Sequence, residues 1–199
     1  MNRSELTELH YITPVQNVPS ILQHGVLCHQ LAERVAHESV AMQEVQDLRA
    51  RKTVPGGLPL HQYVNLYVHA RNAMLYKRRI QHMALCILRI HTDVLDLPQV
   101  IIADGNAASR GDYTRFYASP SGLEELEKDE VFAVYWTDPD PIRAFYLRRV
   151  RCAEVLVPRR LDARYIIGAH VSCREVEATL RAAGWRLAVN VDPHLFFVG

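Results

Sequence analysis

Residues 148–158 constrain the fold more than any other segment, because a short apolar run there follows directly on a carboxylate and three arginines. The run Val155-Leu156-Val157 is typical of a buried strand, and Pro158 ends it. Glu154 therefore lies where a strand enters the core, next to a basic surface. A carboxylate at that point is either an ion-pair partner for the arginines or a working group. The segment alone favours the ion pair, so the decision depends on the rest of the chain.

The length and composition are those of an ordinary soluble globular protein. A chain of 199 residues is long enough for one domain with a core and short for two, so we expect a single domain over residues 1–199. Hydrophobic residues make up 49% and charged residues 23%, as in typical globular domains. The formal net charge is +1, so no overall basic field indicates a nucleic-acid partner.

Positive charge is nevertheless concentrated in short clusters. Such clusters can bind phosphate groups even when the total charge is near zero, although most charge runs are solvated surface. Acidic residues gather elsewhere, over residues 124–130. The basic clusters are Arg49, Arg51 and Lys52; Lys77, Arg78 and Arg79; Arg148, Arg149 and Arg151; and Arg159 with Arg160.

The spacing of the cysteines and histidines argues against a metal site or a redox motif. The four cysteines form no CxxC pair, and the ten histidines show no HExxH spacing. Widely separated cysteines suit a reducing compartment. No apolar run reaches the length of a membrane span, and the first residues carry no apolar signal segment. We therefore expect a cytoplasmic protein with no metal and no membrane contact.

The order of the predicted elements favours an α+β fold over a regular alternation of strands and helices. Helices are predicted early in the chain, and strands dominate late. The predicted strands cover residues 9–13, 63–68, 84–90, 100–102, 153–157, 165–171, 187–191 and 195–198. The predicted helices cover residues 15–24, 31–50, 72–80, 142–149 and 172–183, with a short acidic helix after Ser121 and an irregular loop over residues 110–120.

The usual phosphate-binding and nucleophile motifs are missing. The chain has no GxGxxG after a strand, no Walker loop and no GxSxG elbow. What remains is a set of polar residues on predicted strands, among them His10, Tyr11 and Thr13 on the first strand and Glu154 on a late one. Each of them alone is more often a hydrogen-bonded core or edge residue than a ligand.

Three ordered blocks, taken together, resemble the DarT family of DNA ADP-ribosyltransferase toxins. Residues 9–27 (LHYITPVQNVPSILQHGVL) resemble the opening strand and helix of that family. Residues 63–76 (YVNLYVHARNAMLY) are similar to its Tyr-Val…Met-Leu-Tyr segment. Residues 135–136 (YW) with 151–157 (RCAEVLV) are similar to the region that carries the catalytic Glu. The resemblance covers residues 8–171, which is most of the chain.

The resemblance implies an ADP-ribosyltransferase fold, a small α+β domain of two packed, mostly antiparallel sheets with flanking helices. It implies NAD as the co-substrate, no metal, and transfer of ADP-ribose to a base in single-stranded DNA, with thymidine favoured over guanosine. Family members act as toxins paired with an antitoxin, an ADP-ribosyl-hydrolase that removes the modification, so such a partner is expected. An enzyme that reaches a base needs stacking residues, for which Tyr113 and Tyr117 are candidates.

Residue by residue, the resemblance assigns a catalytic pair and a strand that holds NAD. Glu154 matches the catalytic Glu, and Arg49 matches an arginine that contacts NAD and acts at the target base, with Arg51 as the alternative register. A carboxylate in that place stabilises the positive charge that develops on the ribose as the nicotinamide bond breaks. The residues assigned to NAD binding are His10, Tyr11, Ile12, Thr13, Ser20, Cys28, Arg49 and Tyr67.

Further residues are assigned to the DNA side of the pocket. Met74 matches a residue between the nicotinamide and the target nucleotide, and Asn106 stands where some members have His. His10 and Tyr11 occur in the order His-Tyr, whereas several members have Tyr-His, so either side chain is a candidate for the nicotinamide contact. The candidates for DNA phosphate contacts are Arg51, Arg148 and Arg149.

Two alternatives remain open. Within the same class, the target is RNA or protein, or the NAD pocket serves a 2′-phosphotransferase-like reaction on tRNA. In a different class, the chain is a non-catalytic nucleic-acid-binding domain that keeps only the fold and the basic clusters. Glu154 together with Arg49 favours the enzyme, because binding alone needs no carboxylate on a strand.

Overall fold

The structure, a computed structural model, describes residues 1–35, 37–39, 43–111 and 113–198. Its strands are β1 (Leu9–Pro14), β2 (Val26–Leu27), β3 (Tyr63–Tyr67), β4 (Leu85–Ile90), β5 (Ile101–Ala103), β6 (Phe116–Ala118), β7 (Glu154–Pro158), β8 (Arg160–Leu161), β9 (Ile166–Val171) and β10 (Ala188–Val191). Its α-helices are α1 (Val18–His24), α2 (His29–Ala32), α3 (Gln43–Ala50), α4 (Ala73–Lys77), α5 (Lys128–Val131), α6 (Pro141–Val150) and α7 (Arg174–Ala182). Short 3-10 helices lie between them at Arg3–Glu5, Val15–Asn17, Leu60–Gln62, Arg79–Ala84, Thr92–Asp96, Ser121–Glu125 and Ala163–Tyr165.

Most of the strands join one large sheet that is divided in two. Within the described residues, eight strands lie in the order β10-β9-β4-β1-β3-β7-β5-β6, and β2 pairs separately with β8. Neighbouring strands are antiparallel, except that β9 and β10 are parallel. Strand β1 pairs with β4 along its whole length, and β3 does so with β7. Between β1 and β3, however, the register of these described strands contains one pair, His10 with Tyr67.

This pair joins two half-sheets that separate beyond it. Residues 11–14 of β1 and residues 63–66 of β3 are not paired with each other, so a cleft opens between the two strands. Backbone groups of residues 11–14 that point away from β4 face this cleft, and buried backbone groups need hydrogen-bond partners. The predicted α+β fold is confirmed: the described strands form a large, mostly antiparallel sheet and a smaller one, and helices flank them.

Apolar side chains on both faces of the sheet fix the positions of its strands. One cluster contains Leu66 of β3 and Val155 of β7, together with Leu180 of α7. On the other face, Ile12 of β1 belongs to a second cluster with Phe196 from the C-terminal region. Full burial of a side chain of this size contributes about 1.5–3 kcal/mol to stability. The cleft therefore lies inside a sheet whose two halves are each firmly packed.

Three helix termini lie where local sequence signals place them. Gly25 follows α1 with φ of 75°, a backbone conformation that glycine adopts without strain. The side-chain oxygen of Asn72 accepts hydrogen bonds from the N–H groups of Met74 and Leu75 at 3.0 and 3.1 Å, which caps α4. Asp140 caps α6 in the same way. Among the described residues, none of the helices has the length and apolar character to cross a membrane.

The predicted helix over residues 31–50 is wrong. The structure has α2 and α3 with non-helical chain at residues 33–35 and 37–39 between them, and Val40 and Met42 of the predicted helix lie outside the described residues. The reason is a tertiary contact at Glu38: the side chain of Asn17 donates to its backbone O at 2.7 Å and accepts from its backbone N–H at 2.9 Å. Backbone groups that are bound in this way are not available for helical hydrogen bonds.

Two further predictions about local structure are wrong. Part of the predicted irregular loop over residues 110–120 is strand β6, which pairs with β5. The predicted strand over residues 195–198 is a turn, in which the N–H groups of Phe196 and Val198 donate to the backbone O of Pro193 at 3.0 Å. Phe196 is fully buried, so the apolar pattern of this segment reflects a buried turn rather than a strand.

Candidate active site

A cavity with a volume of about 540 Å³ opens in the cleft between the two half-sheets. This volume is in the range of small-molecule and cofactor sites. The walls of the cavity come from β1 and β3, from helices α1, α3, α4 and α6, and from the loop of residues 106–110. Polar residues that are distant in the sequence meet in this cavity.

Glu154 is the buried carboxylate of the cavity. It begins β7, lies opposite Tyr67 of β3 and is 1% exposed. Its Oε2 accepts a hydrogen bond from Nη1 of Arg49 at 3.1 Å, and its Oε1 accepts one from the backbone N–H of Ala107 at 3.2 Å. The two donors come from α3 and from the loop after β5, so three separate segments fix the orientation of the carboxylate.

The charge state of Glu154 results from opposing effects. Burial raises the pKa of its carboxyl, whereas the charge and hydrogen bond of Arg49 and the hydrogen bond from Ala107 lower it, and the resulting pKa lies above the ordinary value of 4.5. A buried carboxyl group that lines a cavity and has a shifted pKa is a candidate for chemical work. Its position distinguishes it from the surface ion pair that segment 148–158 alone favours.

Arg49 has a donor that no group of the described residues accepts. Its side chain is 7% exposed, and its buried Nη2 has no hydrogen-bond partner among the described residues. A buried donor without a partner costs about 1–3 kcal/mol, and more when it is charged. An oxygen atom of a ligand would remove this cost. The end of α3 is anchored near this point by Lys52, whose Nζ donates to the backbone O of Gly111 at 2.9 Å and to that of Ser109.

The first strand brings three of the residues predicted for NAD to the cavity. Tyr11, Ile12 and Thr13 line it, and so does Ser20 of α1. Thr13 is buried, and its Oγ1 accepts a hydrogen bond from Nδ2 of Asn17 at 3.3 Å. Burial raises the pKa of Tyr11 to about 12, so its phenol remains a neutral hydrogen-bond donor. These four predicted residues therefore share one cavity with the candidate catalytic pair.

Three predicted residues do not line the cavity. His10 lies with its Nε2 3.2 Å from Oε1 of Glu8. Cys28 is buried directly before α2, and Arg51 is exposed directly after α3. Of the two candidates for the nicotinamide contact, Tyr11 rather than His10 reaches the cavity.

The residues predicted for the DNA side surround the same cavity. Burial and the nearby Glu154 carboxylate raise the pKa of Tyr67 well above its ordinary value of 10, so its phenol is neutral. Nη1 of Arg149 is already bound to Oδ1 of Asp104 at 2.6 Å, whereas Arg148 is exposed to solvent. The predicted DNA-side and intervening residues that line the cavity are Tyr67, Met74, Asn106, Arg148 and Arg149.

The sequence patterns pointed to Asn106 in the loop after β5 but missed the backbone contact that completes the site. Ala107 contributes a backbone N–H to Glu154, and no side-chain pattern indicates a backbone donor. The loop is held by Arg149, whose backbone O accepts from the N–H of Asn106 at 3.2 Å. Gly105 is the signal that could have located this contact. A Cβ at that position would lie 2.7 Å from Nη1 of Arg149, so a glycine there indicates that the loop packs closely against Arg149.

A second polar cluster lies beside the join of the half-sheets. The Nε2 atoms of His10 and His170 lie 3.2 and 3.0 Å from Oε1 of Glu8, and Nε of Arg89 donates to Oε2 at 2.7 Å. Within the described part of the chain, these His and Glu atoms are the group close enough to hold a metal ion. The ion pair with Arg89 already neutralises the carboxylate. The cluster links β1, β4 and β9, so it belongs to the framework of the sheet.

Comparison with solved structures identifies the class of protein. The structure of Thermosipho africanus DarTG in complex with ADP-ribose has a TM-score of 0.80 and 32% sequence identity, over 96% of this chain and 51% of that one. The structure of Thermus sp. 2.9 DarT in complex with ADP-ribosylated ssDNA has a TM-score of 0.80 and 25% identity, over 96% of both chains. The divided sheet with its buried carboxylate is an ADP-ribosyltransferase fold, as predicted.

Sequence comparison then identifies the family. The model of the family described as "ssDNA thymidine ADP-ribosyltransferase, DarT" matches residues 10–197, so the chain belongs to the DarT family. It is 33% identical to a DNA ADP-ribosyl transferase-DNA ADP-ribosyl glycohydrolase fusion protein of Thermosipho africanus (strain H17ap60334), over 96% of this chain and 50% of the relative. It is 29% identical to a DNA ADP-ribosyl transferase of Thermus sp. (strain 2.9), over 70% of this chain and 71% of the relative. The chain thus spans half the length of the fusion protein.

Proposed function

We propose that this chain transfers ADP-ribose from NAD to a thymidine base in single-stranded DNA. The observation that carries the proposal is the buried pair of Glu154 and Arg49 in a cavity between two separated half-sheets. A domain that only binds a ligand does not need a buried carboxylate that two donors hold in place. An enzyme whose reaction develops positive charge does need such a group. Residues 1–199 act in this reaction as one catalytic domain, without a metal.

The residues of the cavity fit NAD. The free Nη2 of Arg49 offers a charged donor to a phosphate or ribose oxygen. Residues 11–14 offer backbone groups that β3 leaves unpaired, and these suit an amide such as that of nicotinamide. The chemistry that NAD supplies is a ribose–nicotinamide bond whose cleavage leaves positive charge on the ribose.

Glu154 acts through its charge. Its carboxylate stabilises positive charge on the ribose, and the effect is large because the group is buried away from water. The hydrogen bonds from Arg49 and Ala107 hold the carboxylate in one orientation, so little reorganisation is needed during the reaction. Arg49 also opposes the effect of burial on the pKa and so favours the ionised carboxylate.

The rim of the cavity suits a single strand of nucleic acid. Tyr113 is 64% exposed and packs edge-to-face on Phe145, with ring centroids 5.8 Å apart, and Phe145 lines the cavity. Exposed rings of this kind stack on the bases of single strands. Arg110 and Arg148 are exposed at the same rim, where they can contact phosphates. A base must leave its stack to reach a buried carboxylate, so a single strand is favoured over a duplex.

The choice of thymidine rests on Arg49 and on the family. The ring nitrogen of thymine carries an imide proton that passes to water as the nitrogen bonds to the ribose, and the positive charge of Arg49 next to Glu154 favours this loss by stabilising the imide anion. The description of the matching family names thymidine in ssDNA as the target. Guanosine, which would react through its exocyclic amine, is the alternative base.

A partner and a location follow from the proposed activity. An ADP-ribosyl group on the ring nitrogen of thymine blocks base pairing, so an enzyme that adds it to the DNA of its own cell is toxic unless the modification is removed. We propose an ADP-ribosyl-hydrolase antitoxin as the partner, since a relative is a fusion of a transferase with a glycohydrolase. We propose the cytoplasm as the site of action, because NAD and single-stranded DNA occur together there.

Mass spectrometry of defined single-stranded oligonucleotides after incubation with NAD tests the proposed reaction. Oligonucleotides that each lack one base are incubated with the wild-type protein or with Glu154→Gln. We expect the mass of one ADP-ribosyl group to be added to every oligonucleotide that contains thymine, and no addition by the variant. Labelling that persists without thymine and disappears without guanine would assign guanosine. Labelling of RNA or protein but not of DNA would overturn the proposal.

A further inference from the structure

A patch of aromatic side chains lies on the surface beside helix α4. Tyr76, Trp136 and Phe197, here called the aromatic patch, contact one another edge-to-face with ring centroids 5.1, 5.6 and 6.1 Å apart. Tyr76 is 43% exposed, and Tyr135, next to Trp136 in the chain, is 80% exposed. Rings that pack together yet stay open to solvent offer a surface to a further planar group.

Three arginines lie over rings of the aromatic patch, and one of them, the buried Arg151, has its guanidinium 5.3 Å from the ring centroid of Trp136. The guanidinium of Arg79 lies 4.2 Å from the ring centroid of Tyr76, and that of Arg71 lies 4.2 Å from the centroid of Phe197. Arg71 also donates to two backbone carbonyl groups, so it is part of the framework. Arg79 uses its Nη1 for the backbone O of Tyr76 and extends over an exposed ring. A cation on an exposed aromatic ring is a contact that nucleic-acid strands use.

The positive charge beside the aromatic patch is not compensated within its own segment. No Asp or Glu occurs between Asp47 and Asp93, and residues 77–79 are Lys-Arg-Arg. The carboxylates that follow Trp136, those of Asp138 and Asp140, accept hydrogen bonds from backbone N–H groups at the start of α6. Exposed rings with uncompensated cations suit a polyanion with planar bases better than the surface of a protein partner.

The aromatic patch is continuous with the cavity through α4. Met74 and Lys77 of this helix line the cavity, and Tyr76 lies between them in the sequence and is exposed. When the target base of a DNA strand enters the cavity beside Met74, the nucleotides on one side of that base therefore lie against the aromatic patch. On the other side of the target base the strand leads away from α4.

We propose that Tyr76, Tyr135 and Arg79 form a second binding site for the same DNA strand, which holds the nucleotides on one side of the target thymidine. This site rests on the proposed function, since it concerns the part of the substrate outside the cavity. Bases stack on the exposed rings, and the basic residues 77–79 contact phosphates. Because the aromatic patch adjoins the cavity along α4, extension of the substrate on the side of the target base that passes α4 raises the rate.

Oligonucleotides extended on one side of a single thymidine test this site. A core of about 5 nucleotides is compared with versions of about 16 nucleotides that are lengthened on the 5′ or the 3′ side, which covers the site sizes of single-strand binding. With the wild-type protein, we expect one of the two extensions to raise kcat/KM roughly tenfold. Tyr76→Leu, Tyr135→Ala and Arg79→Ala should each reduce this gain and leave kcat/KM for the core unchanged.

A matched control exists on another surface. Arg164 is exposed and lies over the ring of Tyr165, with its guanidinium 4.9 Å from the centroid, and neither residue lines the cavity. Arg164→Ala should therefore keep the full gain. Tyr135→Ala guards against misfolding, because this side chain is 80% exposed, whereas Tyr76 packs on other rings.

Two results would overturn the site. One is equal kcat/KM for the core and for both extended oligonucleotides with the wild-type protein. The other is a one-sided gain that survives in all three variants, which would mean that the extension binds elsewhere. If the variants keep the gain but lose binding to an ADP-ribosyl-hydrolase, the aromatic patch is a protein-docking surface instead.

Failure of this site differs from failure of the proposed function. If the wild-type protein modifies no oligonucleotide, the proposed function fails, and the site is then tested by fluorescence anisotropy with the same oligonucleotides. One-sided, length-dependent binding that Tyr135→Ala and Arg79→Ala abolish would support the site. Equal binding of the core and of both extended versions would overturn it.

Discussion

His10 of β1 lies opposite Tyr67 of β3, and beyond this pair the two strands separate. Tyr67 lies in turn opposite Glu154 of β7. The join therefore determines where the cleft begins and places the buried carboxylate beside its closed end. A shift of β1 by one residue would turn its side chains to the opposite face, and the pairing of β1 with β4 along its whole length opposes such a shift.

Replacing Glu154 with Gln should slow transfer strongly and leave the fold intact. The amide keeps the shape of the side chain and one acceptor for its donors, but it removes the negative charge. We expect the rate of transfer to a thymidine oligonucleotide to fall by about 10²–10³. Single-turnover labelling measures the rate, and thermal melting checks folding. A folded variant that labels DNA at a near-normal rate would show that another group supplies the charge.

Arg49 and Arg51 lie two residues apart, the first buried and the second exposed, so the effects of replacing each of them on transfer can be compared directly. Arg49→Lys removes the planar fork that binds Glu154 with one nitrogen and leaves the other for a ligand, so transfer should fall at least about tenfold. Arg51→Lys keeps its charge at an exposed position, so transfer should change less than about twofold. Steady-state kcat/KM with a thymidine oligonucleotide measures both. Equal effects, or a larger effect at Arg51, would contradict the assignment of Arg49.

The rate of transfer should depend on pH through Glu154. Burial raises the pKa of its carboxyl above 4.5, and only the ionised form stabilises charge on the ribose, so kcat/KM should fall as the pH is lowered through this raised pKa. Arg49→Gln removes the charge that lowers the pKa, so the fall should move to higher pH in the residual activity of this variant. A midpoint at or below 4.5 in the wild-type protein would contradict the role of a buried Glu154.

Part of the site could be predicted from the sequence because its signals are local. The apolar run after Glu154, closed by Pro158, predicts a buried strand, and the structure has β7 there. Asn72 before an apolar helix predicts a cap, and its side chain makes one. Arg49 carries no such local signal, because its burial depends on a partner 105 positions away in the chain. Only the family resemblance selected it from the basic clusters.

The remaining features depend on contacts between distant segments. The N–H of Ala107 is a backbone donor that tertiary contacts aim at the carboxylate. Which of His10 and Tyr11 faces the cavity depends on the strands that lie on either side of β1, and the order of residues along the chain does not reveal these neighbours. The apolar spacing over residues 31–50 predicts one helix, but the side chain of Asn17 binds the backbone of Glu38 and interrupts it.

Affinity for single-stranded DNA should fall steeply with salt. Arg110 and Arg148 at the rim and Lys77 of α4 line the cavity, and each cation that neutralises a phosphate of a single strand contributes about −0.7 to the slope of log K against log salt. Arg148→Gln should therefore make the slope shallower by about 0.7. Fluorescence anisotropy between about 50 and about 200 mM salt measures the slope. Salt-independent binding, or a preference for duplex DNA, would contradict a basic single-strand rim.

Replacing Glu8 with Gln should weaken the fold through the cluster beside the join. Burial raises the pKa of Glu8, but hydrogen bonds from His10, His170 and Arg89 outweigh this effect and hold the pKa well below 4.5. Because the pKa is lower in the folded state than in the unfolded state, the ionised cluster stabilises the fold above about pH 4.5, and this contribution is lost as the pH falls. We expect Glu8→Gln to lower the free energy of unfolding by roughly 1–3 kcal/mol near neutral pH, and by less in acid.

Urea unfolding of the wild-type protein and of Glu8→Gln at a series of pH values measures this difference. Glu124→Gln, at an exposed position, is the control and should show no difference that depends on pH. The same destabilisation at neutral and acidic pH would mean that Glu8 acts through packing rather than through its charge. If the folded variant also lost transfer activity, the join between His10 and Tyr67 would be coupled to the chemistry at Glu154, because Tyr67 is paired with both residues.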